Sequence, residues 1–295
     1  MKFKPYWQDT APAFAGGVSG DISGHFDVAV VGGGFTGLSA ARHLAKAGAK
    51  VVVLEAEEVG SGASGRNGGH LNNGLAHSFL SAKASLGKER AIALYRALDD
   101  AVDTVERIVG EEKIDCSFRR SGKLKLASKP AHFEQIAHNF EAIHREVDAD
   151  TALLTAADLR SEIGSSDFHG AMLSKKSAMM HMGRFVAGLA DAAVRHGVLV
   201  CEHARVTART QAGGRHELTT ARGTVTASNV LVATGAYTSG PFGWFRRRLV
   251  PVGSFIIATR PLSTEEIAAT VPGNRTFVTS LNIGNYFRLS PDNRL

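Results

Sequence analysis

The sequence predicts an α/β fold with a parallel sheet in one domain and a discontinuous α+β second domain. Three observations carry this. An apolar run, a glycine turn, a helical stretch and a second apolar run follow one another between Asp27 and Glu55. Short apolar runs at 198–202 and 229–234 read as further strands of the same sheet. Between these parts lies a block of long amphipathic helices, from about residue 75 to 177.

The first unit opens with a strand from Asp27 to Val31. Gly32, Gly34 and Gly37 follow in G-x-G-x-x-G order. The first lets the chain turn sharply, the second leaves room for a pyrophosphate, and the third lets the helix pack near the sheet. The helix is expected from about Phe35 to Ala47, with Leu38, Ala41, Leu44 and Ala45 on one face and Arg42 and Lys46 turned away. Gly48 stops it. Unpaired N–H groups and the dipole at its start favour anionic phosphates. Lys50 to Leu54 form the second strand, and Glu55 stands where an acid would accept ribose hydroxyls. This order defines a Rossmann-like dinucleotide-binding unit; the bland alternative is an ordinary strand–helix crossover.

After Glu55 the chain runs Gly60-Ser61-Gly62-Ala63-Ser64-Gly65-Arg66-Asn67-Gly68-Gly69-His70. A nicotinamide enzyme would be expected to enter another crossover helix here. So many small residues suit main chain lying against a flat ligand, or a flexible surface loop.

VVGGGFTGLSAARHLAKAGAKVVVLEA followed by GSGASGRNGGH resembles the FAD-dependent amine oxidoreductases of the D-amino-acid oxidase superfamily, in the branch containing gamma-glutamylputrescine oxidoreductase. The leader PYWQDTAPAFAGG is similar to that branch too. The resemblance implies FAD as cofactor, with contacts at Gly32, Gly34, Phe35, Thr36, Gly37, Glu55 and Ala56. It implies that Gly62, Ala63, Ser64, Arg66, Asn67, Gly68 and Gly69 run beside the flavin ring. It also implies that the Val206 main chain meets adenine and that Ala233, Thr234 and Gly235, ending the last nucleotide-domain strand, approach the cofactor.

Composition bounds the reading. The 295 residues are 44% hydrophobic and 21% charged, which suits a folded α/β enzyme rather than a disordered chain. Two cysteines, Cys116 and Cys201, form no C-x-x-C pair and point to a reducing compartment. The N-terminus lacks a signal-peptide pattern, and no apolar run approaches the roughly 18 residues of a membrane span. A cytoplasmic protein is expected. The net charge of +6 is scattered, and no nucleic-acid-binding motif is present. The one dense cluster, Arg246-Arg247-Arg248 after Trp244 and Phe245, reads as a solvated segment with its aromatics packed inward, or as a contact for a membrane surface or acidic partner.

In chain order, residues 1–24 read as an extended arm anchored by Tyr6 and Trp7, with Pro5, Pro12 and Gly16-Gly17 opposing regular structure. Residues 25–74 and 178–240 make the FAD-binding domain, and 75–177 with 241–295 the substrate domain, which would form a wall over the flavin. Residues 71–85 read as irregular. Ile92, Tyr95, Leu98, Val102, Val105 and Val109 predict a long helix stopped by Gly110. A strand pair is expected around Ser121-Gly122, then a helix after Pro130, then a T-x-x-D capping signal at Thr155 and Asp158 with a helix that Gly164 ends. A helix over Gly183–Gly197 leads back to the sheet. Residues 205–227 read as a β-meander turning at Gly213-Gly214 and Arg222-Gly223. VPVGSFIIATRPL reads as a strand, Ser263 and Glu266 as a capping box, TFVTSL and NYFRL as strands, and Pro291-Asp292-Asn293 as a turn.

The chemistry implied by the family is oxidation of the C–N bond of an amine or amino acid, such as a gamma-glutamylated polyamine. A hydride passes to the flavin, water hydrolyses the resulting imine, and dioxygen or another acceptor reoxidises the cofactor. A dedicated acid or base is not obligatory, and no catalytic residue is assigned. His70 is a candidate to orient substrate or touch the ring, or a structural histidine; Arg66 and Asn67 contact cofactor or cap the loop. Tyr286 and Arg288 share one strand face, which lines the substrate pocket or is ordinary sheet surface. His181, just before a helix, is a further candidate near the flavin. His132, His138 and His144 recur every six residues, which gathers no metal ligands on one helical face. In the family the ending NYFRLSPDNRL continues into a return strand and further nucleotide-domain chain, so this sequence is expected to be C-terminally truncated. The alternative to an oxidoreductase is a non-catalytic remnant that binds nucleotide weakly or not at all.

Overall fold

The computed structural model describes residues 2–295. It divides into two compact units. One comprises the chain up to Asn67, Glu112–Cys116 and Met182–Ile256; the other comprises Gly68–Glu111, Ser117–His181 and Ile257–Leu295. The borders expected from sequence lay at 74/75, 177/178 and 240/241.

The first unit holds a six-stranded sheet in the order Leu199–Cys201, Val51–Leu54, Gly24–Val31, Gly223–Val232, Arg215–Thr220, Ala208–Ala212. The first four strands are parallel, with Val28 opposite both Val51 and Asn229, and the last two are an antiparallel meander. All four residues of Val51–Leu54 are buried, as expected of a parallel strand covered on both faces. Phe26, Val31, Leu54, Leu218 and Val225 belong to its core. The meander's last strand does not stop at residue 227 but continues unbroken to Val232. The arm, expected to be extended throughout, contains a one-turn helix, Tyr6–Thr10, because Pro5 sits ahead of its first turn and removes no needed donor.

Helices Phe35–Lys46 and Met182–Arg195 pack on each other. Arg42, which periodicity turns away from the apolar face, is buried instead, because Glu112 receives it. Arg42 Nε lies 2.6 Å from Glu112 Oε1, with side-chain exposures of 5% and 7%. Arg195 and His196 reach the same carboxylate, at 3.0 and 2.9 Å. Burial alone would raise this carboxyl's pKa; the hydrogen bonds from His196, Arg42 and Arg195 outweigh it and hold it at about 2.

The second unit contains a five-stranded sheet, ordered Tyr286–Phe287, Thr276–Thr279, Lys123–Leu126, Gly170–Ser174, Ala152–Thr155. Its faces bury different things. Leu124 and Leu126 join Phe277, Leu159 and Ile163 in one core. Lys123 and Lys125 share the opposite face, where Met172 packs with Phe79, Tyr95, Ile136 and Ile143 from three helices. A two-stranded ladder joins His70–Leu71 to Ala178–Met179.

Several expectations are corrected here. Within 71–85, Phe79–Leu86 is a helix, capped by Ser78 Oγ accepting from Ser81 N–H and ended by Gly87 at φ +82°. The long helix, Lys88–Glu111, runs through Gly110, where nothing forces a break; Lys113 at φ +54° follows its end. No hairpin forms at Ser121-Gly122. Lys123–Leu126 pairs instead with Thr276–Thr279 and Gly170–Ser174, both remote in sequence. The Thr155/Asp158 signal opens only a short 3₁₀ turn, Asp158–Ser161. The Ser263–Glu266 capping box forms as expected. Residues 250–262 form no strand: Val250, Val252, Phe255 and Ile257 are exposed, and no neighbouring strand among the described residues pairs with them. Trp244 and Phe245 are exposed rather than packed inward, with the Arg248 guanidinium 3.6 Å over the Trp244 ring.

Glu112→Gln should destabilise the protein by roughly 3–5 kcal/mol, because Arg42 is left buried without its counter-ion. Urea unfolding measures it. The wild-type advantage should be complete above about pH 4.5 and disappear as pH falls toward 2, since the folded carboxyl titrates lower than the unfolded one.

Candidate active site

In the first unit the glycine turn is sterically fixed. Gly32 leaves the strand at φ +112°, and a methyl group on Gly37 would strike the Gly32 carbonyl oxygen. The helix Phe35–Lys46 therefore starts hard against the strand end. Its N-cap, Gly34, offers no side chain to its first N–H groups. A Cβ on Gly34 would lie 2.8 Å from Ser64 Oγ, and that hydroxyl accepts the Phe35 N–H at 3.0 Å. Thr36 is exposed on the same turn.

Glu55 is oriented by this turn. Its Oε2 accepts the Gly33 N–H at 2.5 Å and its Oε1 the Glu57 N–H at 2.9 Å. A carboxylate has about four acceptor positions, so lone pairs remain for a ligand. Ala56 follows, half-buried. Gly62 lies under the Tyr237 ring, and Ala63–Gly65 form a 3₁₀ turn. Asn67 Nδ2 donates to the carbonyls of Ala63 and Ser64, closing the loop, while Arg66 is exposed. Trp7 Nε1 donates to the Asn67 carbonyl at 2.6 Å, so the arm is anchored to this loop. Val206 is buried, and Ala233 N–H donates to Val31 O. Thr234 and Thr238 hydroxyls meet at 2.6 Å, and Gly235 sits at φ +52°.

In the second unit, His70, Tyr286 and Arg288 come together. Arg288 is 7% exposed; its Nε donates to Gly68 O at 3.1 Å and its Nη2 to Met180 O at 2.8 Å. A Cβ on Gly69, at φ +72°, would lie 2.6 Å from that guanidinium. The Tyr286 ring stands edge-on to His70, centroids 5.5 Å apart, while Phe287 points to the other face and stacks on Phe277. Both His70 ring nitrogens are buried without a hydrogen-bond partner. Burial first, then the positive charges of Arg288 and Lys123, push its pKa from 6.5 to about 3, so the imidazole is neutral. His181 is 2% exposed, immediately before the helix Met182–Arg195. His132 meets Ser280 and His144 the Thr151 carbonyl; among the described residues no group of His, Cys, Asp or Glu has metal-site geometry. Sequence reasoning did not single out Met180, whose carbonyl is the Arg288 anchor, because a main-chain acceptor leaves no residue signature.

A helix start whose N-cap glycine brings no side chain, beside an oriented acid and on a parallel sheet, is the arrangement of a Rossmann-like dinucleotide-binding unit. Residues 27–295 match the family model described as FAD dependent oxidoreductase, and the chain belongs to that family. It is 35% identical over 270 residues to gamma-glutamylputrescine oxidoreductase of Escherichia coli, covering 91% of this chain and 63% of the relative. It is 33% identical over 277 residues to the Haemophilus influenzae protein named OrdL, covering 92% of this chain and 64% of that protein. Among solved structures it is similar to glycine oxidase from Geobacillus kaustophilus, with a TM-score of 0.69 and 25% identity over 92% of this chain and 70% of that one. The chain thus spans a little under two thirds of the curated relatives' length. No helix among the described residues is long and apolar enough to cross a membrane.

Gly37→Ala should cost about 1–3 kcal/mol, as overpacking between helix and strand end does; thermal unfolding measures it, and Gly34→Ala, which meets only a rotatable hydroxyl, should cost less. His70→Phe should remove a pH dependence. The folded-state pKa lies below the ordinary one, so wild type loses this contribution as pH falls from about 6.5 toward 3, and the variant should not. Unfolding curves across that window check it.

Proposed function

We propose that this protein binds FAD and oxidises the carbon–nitrogen bond of a small amine or amino acid. The observation that carries the reading is the helix start at Gly34, an N-cap residue without a side chain, with Glu55 held on the same turn, in a chain of this family. The N–H groups and positive dipole end of that helix would hold a diphosphate, and the bare Gly34 gives it room. Glu55 would accept the ribose hydroxyls. The main chain at Ala56, Val206 and Ala233–Gly235 would meet the rest of the cofactor, and the Gly62–Gly69 segment the flat ring. Bound flavin would supply the acceptor for a hydride from the carbon beside the nitrogen.

His70 would serve the substrate. Its imidazole stays neutral, so one ring nitrogen can accept a hydrogen bond from an amine and the other can donate. Arg288, tied to two carbonyls, holds Gly68 and Gly69 in place, and Tyr286 packs against the His70 ring. A gamma-glutamylated polyamine is the finer substrate reading, supported by the likeness to the Escherichia coli enzyme. Dioxygen or another acceptor would take the electrons. A cytoplasmic location would suit Cys116 and Cys201, which are both buried and not joined in a disulfide.

Purified protein should turn yellow on adding FAD, keep the flavin through gel filtration and bleach anaerobically with an amine substrate. Glu55→Ala should weaken FAD binding about 10-fold or more. A protein that retains no flavin would sink the proposal.

A further inference from the structure

The second unit contains a cavity of about 50 Å³ that none of the residues assigned above lines. Its walls come from the Asn73 loop, the helices Lys88–Glu111 and Pro130–Glu146, and the sheet face carrying Lys123 and Lys125. Exposed His77 stands at its rim.

Two carboxylates and two amines line it: Asp99, Asp148, Lys123 and Lys125. None of the four is ion-paired with another, although all border one small space. Asp99 Oδ1 accepts from Asn73 Nδ2 at 2.7 Å, and Lys123 Nζ donates to the Asn73 carbonyl at 2.5 Å. Asp148 Oδ1 accepts the Asp150 N–H at 3.0 Å, but its Oδ2 is buried with no partner. Among the described residues the Lys125 ammonium has no hydrogen-bonded or ionic partner. Burial pushes the Lys123 amine down to about 8, outweighing the opposite pull of Asp99, and pushes the Asp99 carboxyl up, outweighing the Asn73 hydrogen bond and the charge of Lys176.

A void of this size holds about three or four waters, the size class of glycine. Water would satisfy the orphan oxygen but supply no charge. A ligand with an ammonium at one end and a carboxylate at the other would complement both pairs. We infer that this cavity binds a small zwitterionic amino acid of glycine's size, its ammonium at Asp148 and Asp99 and its carboxylate at Lys125 beside Lys123.

The test is titration of the 295-residue protein with ¹³C-labelled glycine, followed by NMR and calorimetry. Saturable binding is expected, weakened about 10-fold or more by Asp148→Asn and by Lys125→Met. Lys125→Arg, which keeps the charge, should bind glycine better than Lys125→Met does, and circular dichroism should show all three variants folded. Acetate and methylammonium, each offering one end alone, should bind more weakly than glycine. His70→Asn should leave glycine binding unchanged, which separates this site from the amine site proposed above. No saturable binding, equal binding of acetate, or binding that responds to His70→Asn and ignores Asp148→Asn would each overturn the assignment.

Discussion

The candidate cofactor site depends on one steric fact: nothing larger than hydrogen fits between Gly37 and the carbonyl of Gly32. That contact fixes where the helix begins relative to the strand end. Everything nearby then inherits its position. The Gly33 N–H meets Glu55, the Phe35 N–H meets Ser64, and Ser64 belongs to the loop that Asn67 closes and Trp7 clamps. Loosening the first contact would shift the acid, the helix terminus and the loop together. The Arg42–Glu112 pair braces the same helix along its flank, which is why a charged side chain there is buried rather than solvated.

Much of this was legible because it is local. The glycine order, the flanking apolar runs and the acid lie within 30 residues or so, and each states its physical purpose. The meander turns and the Ser263–Glu266 capping box are similarly short-range. What escaped the sequence was set by partners far away. Arg42 meets a residue 70 positions on, and Lys123–Leu126 finds its strands across the unit rather than beside Ser121-Gly122. Residues 250–262 carry a strand pattern, but a pattern is not a strand until its N–H and C=O groups find a neighbour. For the second cluster, alternation placed Tyr286 and Arg288 on one face, yet only the fold could bring them to Gly68 and His70, with Arg288 bonding a carbonyl 220 positions earlier.

The sheet of the second unit illustrates how period-two alternation can serve two ends. One face carries Leu124, Leu126, Ala171, Leu173 and Phe277, a core that needs no polar partner. The other carries lysines among apolar helices, where each charge must be answered or suppressed. The strand Lys123–Leu126 thus divides a dry layer from a polar one with four residues.

The neutral state of His70 has a consequence for kinetics. A group that takes up its proton only near pH 3 carries the same charge throughout the range in which enzymes are assayed. It cannot then be the group whose protonation shapes the acid side of a rate profile. An amine donor, by contrast, is mostly ammonium at neutral pH, and the form with a free lone pair grows as pH rises. Under the proposed amine oxidation, the acid limb of the profile should move with the basicity of the amine and not with His70, so a series of substrates of graded basicity would report on the ligand past an imidazole that stays electrically silent.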